Sequence, residues 1–97
     1  MRRVAVTGLG IVSSIGGNAE EVTQSLHDAR SGISFSESFA EHGFRCRVWG
    51  APTLDPTELV DRRAMRFLSQ GGAWNHVAMK QAIADSGLAE SDVSNNE

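Results

Sequence analysis

A chain of 97 residues, 40% hydrophobic and 22% charged, is long enough for one small domain at most, and its balance is that of a folded protein rather than a disordered segment. Nine Lys and Arg against twelve Asp and Glu give a formal net charge of -3, which argues against bulk nucleic-acid binding, where a basic surface must displace counterions. The single cysteine, Cys46, excludes an internal disulfide and a disulfide-stapled secreted scaffold.

Met1-Arg2-Arg3-Val4-Ala5-Val6 imitates the start of a signal peptide, but the apolar run meets Thr7, Gly8 and Gly10 before a membrane-length span can form. With no export or membrane signal, the expected location is cytoplasmic. Val4 to Thr7 is rich in β-branched residues and is continuously apolar, which predicts a strand covered on both faces, as in a parallel sheet. Ile11 to Gly17 reads as a loop of apolar and small residues.

Asn18 with Glu21 three residues on is a capping-box-like pattern, and Glu20 and Glu21 suit the positive end of a helix dipole. The helix so predicted buries Val22, Leu26 and Ala29 and ends near Arg30, where Ser31-Gly32 breaks it. Ile33 to Gly43 has no regular pattern. Phe44 to Gly50 alternates as a half-exposed or edge strand, with Phe44, Cys46 and Val48 on one side and Arg45, Arg47 and Trp49 on the other. In that setting Cys46 reads as a structural residue, although the flanking arginines keep a nucleophilic reading open.

Asp55-Pro56-Thr57-Glu58 is another helix start. The helical pattern breaks near Asp61 and resumes, with Met65, Leu68, Trp74, Val77, Ala78, Ala82 and Ile83 forming a buried stripe. Gly71-Gly72 interrupts it at about 1 kcal/mol per glycine, which points to a kink or to close approach of another backbone. Gly87 is a natural C-cap, and the tail from Ala89 to Glu97 is polar and weakly structured. The inventory is two strands and two or three helices, an α/β pattern. A strand buried on both faces needs neighbours on both edges, so these residues alone are not expected to close a core or form a complete domain.

Gly8-Leu9-Gly10-Ile11-Val12-Ser13 invites a dinucleotide-binding reading. Ser13 replaces the third glycine, no acidic residue ends a second strand about 20 residues on, and the helix starts only after Asn18, so a structural turn is favoured. His27, His42 and His76 stand apart from one another, without the spacing of a zinc site. Asp61-Arg62-Arg63-Ala64-Met65-Arg66-Phe67 concentrates three arginines in an acidic chain. Near a helix N-terminus they oppose the dipole, which suggests docking of an acidic partner; an ordinary solvated face is the plainer reading.

Arg3 to Gly16 resembles the opening of the β-ketoacyl-[acyl-carrier-protein] synthases. Arg30-Ser31-Gly32-Ile33, Val48-Trp49-Gly50, Asp61-Arg62-Arg63 with Arg66-Phe67, and Gln81-Ala82-Ile83-Ala84-Asp85-Ser86-Gly87-Leu88 follow in the family's order. The resemblance runs to about Leu88 and is closest to the synthase I branch of bacterial type II fatty-acid synthesis. It implies a thiolase-like α-β-α-β-α layered fold, of which residues 1–97 would be the amino-terminal part of the first half, and a homodimer. The implied reaction is a decarboxylating Claisen condensation of an acyl thioester with malonyl-loaded acyl carrier protein, through a cysteine and two histidines and without metal or redox cofactor. No catalytic residue carries over: Cys46 and the three histidines do not match the family's motifs. Arg62, Arg63 and Arg66 match basic positions that face the carrier protein, and Arg45 is a weaker candidate. Gly71-Gly72-Ala73-Trp74 departs from the helix formers usual at those positions. The alternative is a small non-catalytic binding domain that docks an acidic partner through Arg62, Arg63 and Arg66.

Overall fold

A computed structural model of the chain describes residues 1–94. It divides into two units, one formed by Ser13–Leu54 and the other by Met1–Val12 with the chain from Asp55 onward.

The Ser13–Leu54 unit opens on a tight turn in which the Ser13 amide donates to the Gly16 carbonyl at 2.8 Å. Helix α1 (Ala19–His27) follows because Asn18 is extended and its side chain accepts from the Glu21 amide at 2.9 Å. The Glu21 carboxylate turns back onto the Gly17 amide at 2.6 Å, one residue earlier than in a regular capping box. The helix stops at His27, short of the predicted Arg30, and the left-handed Ala29 (φ 51°) redirects the chain. Its buried face also differs from the expectation. Ser25 is the buried residue, its hydroxyl donating to the Ile15 carbonyl at 2.6 Å. Turning Ser25 inward swings Leu26 about 100° away along the helix, and Leu26 is 68% exposed.

Within the stretch predicted to be irregular, β1 (Ile33–Phe35) pairs antiparallel with β2 (Val48–Gly50), and Ile33, Ser34 and Phe35 face Gly50, Trp49 and Val48. The Ser36 amide extends the pairing to the Arg47 carbonyl at 2.7 Å. Ser36 then caps α2 (Glu37–Glu41), accepting from the Phe39 amide at 3.3 Å. The strand expected over Phe44 to Gly50 is therefore only its last three residues. Phe44 and Trp49 both close on Phe39, at ring-centroid distances of 5.2 and 5.5 Å. Residues of opposite parity cannot share one face of a continuous strand, so the ring cluster requires the chain to leave extended alternation before Val48.

The other unit is organised by α4 (Gln70–Ser86). The Ser69 side chain accepts from the Gly72 amide at 3.1 Å, and Gly87 in the left-handed conformation (φ 70°) ends the helix. Gly71 and Gly72 do not interrupt the helix; they lie in its first turn, where amides lack an intrahelical partner in any case. No other backbone approaches them. The close approach is at Gly8 and Gly10. A Cβ at Gly8 would fall on the Ala82 carbonyl oxygen, and one at Gly10 on that of Ala78. The Leu9 amide donates to the Asp85 carboxylate at 2.9 Å and the Ile11 amide to the Gln81 side-chain oxygen at 3.1 Å.

Val60, Ala73 and Val77 form the buried core, with α4 packed on the single 3-10 turn Pro56–Glu58. Of the predicted stripe only Val77 is fully buried; Met65, Leu68, Trp74, Ala78, Ala82 and Ile83 are half-buried. The expected parallel strand at Val4 to Thr7 is absent: it pairs with no described strand, and Val4 and Val6 are 94% and 92% exposed. The only sheet among the described residues is the antiparallel β1–β2 pair. Short helices α3 (Arg62–Met65) and α5 (Glu90–Val93) complete the chain, and the end of the polar tail, residues 95–97, lies outside the described residues.

Gly10→Ala should push the amino-terminal segment off α4, costing about 1–3 kcal/mol by overpacking. Hydrogen exchange should then show loss of protection at the Leu9 and Ile11 amides. Asp55 supplies a pH test. The Thr57 hydroxyl, at 2.6 Å, and the Thr57 amide, at 3.0 Å, hold its carboxyl below the ordinary aspartate value of 3.8. A lowered folded value means that this stabilisation is present above the ordinary value and is lost as pH falls through the folded one. In Thr57→Ala, an NMR titration of the Asp55 carboxyl should move up toward the ordinary value.

Candidate functional site

The three arginines singled out by the sequence lie close together in the chain on a short, well-defined support. Asp61 caps α3, its carboxylate accepting from the Arg63 amide at 3.4 Å. Arg62 and Arg63 are the first two residues of that helix and Arg66 is its C-cap. Two cations therefore oppose the backbone dipole and one complements it, rather than all three opposing it; Asp61 offsets the first two. All three side chains are exposed. The one salt bridge among the described residues joins Arg30 to Asp28 at 3.4 Å, so none of the three is neutralised by an ion pair there. Residues 62–84 contain no Asp or Glu, which leaves the local field positive in a chain that is negative as a whole.

Arg45, the weaker candidate, belongs to the Ser13–Leu54 unit and is also exposed. The remaining chemistry-bearing residues do not converge. His27 ends α1, His42 Nδ1 lies 2.7 Å from the Ser38 carbonyl oxygen, and His76 is half-buried on α4. Cys46 is exposed, with its thiol 3.6 Å from the Val48 carbonyl oxygen. Among the described residues no group of three or more His, Cys, Asp or Glu could hold a metal ion, and no helix is long and apolar enough to cross a membrane. Gly8 and Gly10 are used for packing on α4, which is a structural use of the glycine motif.

One feature was not legible in the sequence. A cavity of about 500 Å³ in the Ser13–Leu54 unit is lined by Ser14, Glu21, Ser25, Arg30, Ser34 and Thr53 among others. Its lining comes from four separated segments of mixed residue types, which carry no spacing signal. Glu21 is already engaged with the Gly17 amide, Ser25 with Ile15 and Arg30 with Asp28. The lining mixes apolar residues such as Ile15 and Ile33 with these polar ones.

No protein-family model matches the chain. Curated relatives do. Over 96 residues, 99% of this chain, it is 49% identical to 3-oxoacyl-[acyl-carrier-protein] synthase 1 of Escherichia coli (strain K12), covering 24% of that protein. It is 45% identical to the synthase 1 of Haemophilus influenzae over the same share of each. Identity falls to 30% over 97 residues with the synthase 2 of a Synechocystis strain, 23% of whose length is covered. The chain thus spans about a quarter of the length of the curated relatives it matches. The lower identity to this synthase 2 agrees with a resemblance to the synthase I branch. Along nearly its whole length the chain is thus similar to about a quarter of the 3-oxoacyl-[acyl-carrier-protein] synthases 1.

Proposed function

We propose that the longer protein represented by this chain is an acyltransferase that elongates acyl chains on acyl carrier protein by decarboxylating Claisen condensation. The observation that carries the reading is the similarity to synthase 1 along nearly the whole chain. The nucleophile and the two histidines of that chemistry would lie in further polypeptide, because no residue here matches them. What these residues would contribute is scaffold and docking. In the scaffold, the exposed run Val4 to Thr7 becomes a strand of a thiolase-like α-β-α-β-α fold, covered on both faces. Burying Val4 and Val6 there would contribute about 1.5–3 kcal/mol each. The protein would be a cytoplasmic homodimer.

For docking, Arg62, Arg63 and Arg66 would attract the acidic carrier protein, loaded with acyl or malonyl groups. Exposed, unpaired guanidinium groups steer association through long-range attraction and can form bidentate contacts with carboxylates once docked. A small autonomous binding domain is the less favoured reading. A buried core of Val60, Ala73 and Val77 is thin support for independent folding, since domains near this size are marginal even when complete.

The isolated 97-residue chain should show no turnover of acyl- and malonyl-thioesters; measurable condensation would overturn the placement of the catalytic groups elsewhere. In a full-length protein, combined Arg63→Glu and Arg66→Glu should raise the carrier KM about tenfold or more at low salt, with the effect shrinking as salt is added. An unchanged KM at low salt would remove these arginines from the docking surface.

A further inference from the structure

We draw no further inference here: the strongest candidate, the cavity of about 500 Å³ walled by α1 and β1 in the Ser13–Leu54 unit, carries nothing, because Glu21, Ser25 and Arg30 in its lining are already bonded within the chain and nothing in the structure shows what covers it in a longer protein.

Discussion

Backbone lies against backbone where residues 8–11 cross α4, and only side chains of hydrogen allow it. A methyl group at Gly8 or Gly10 would collide with the Ala82 or Ala78 carbonyl. The contact also needs its polar groups satisfied. Leu9 and Ile11 are two residues apart, so their amides leave an extended chain on one edge. Asp85 and Gln81 are four apart on α4, so they rise from one face of the helix. The two periods coincide, and each amide finds an oxygen at 2.9 or 3.1 Å. A hydrogen bond of this kind contributes about 1 kcal/mol net; the one from Leu9 is exposed and the one from Ile11 is half-buried. The amino-terminal segment is thereby fixed at residues 8–11, while Val4 to Thr7 extends from that anchor without a partner strand.

How far the sequence foretold this depends on the range of the forces involved. Asn18, Asp55 and Gly87 act on amides and carbonyls within a few residues of themselves, and all three do what their types predict. The ends and faces of elements follow more distant partners and were less legible. Leu26 has the right helical spacing to be buried, but the bond from Ser25 to Ile15 rotates α1 away from that arrangement. Phe44 to Gly50 alternates like a strand, but Phe39 gathers Phe44 and Trp49 on one side. Val4 to Thr7 has the composition of a buried strand, and composition cannot supply the neighbouring strand that pairing requires. Gly71-Gly72 attracted attention as a break, whereas the crossing that needs glycine was at Gly8 and Gly10, a motif with a better-known alternative use.

The candidate site was more legible than the fold because charge is additive and visible in one dimension. Arg62 and Arg63 open a four-residue helix and Arg66 caps its end, all three exposed and without an ion pair among the described residues. The cavity near Ser14 and Arg30 was invisible in the sequence because its walls come from four separated segments of mixed residue types with no common spacing. The relatives it matches are about four times longer than this chain.

Hydrogen exchange at Val4, Ala5 and Val6, compared between the 97-residue chain and a full-length synthase that begins with it, tests most directly whether these residues are part of a larger sheet. Cover by further strands predicts fast exchange in the short chain and protection by several orders of magnitude in the long one. Equal, strong protection in both would show that the short chain closes its own sheet, and would contradict the account.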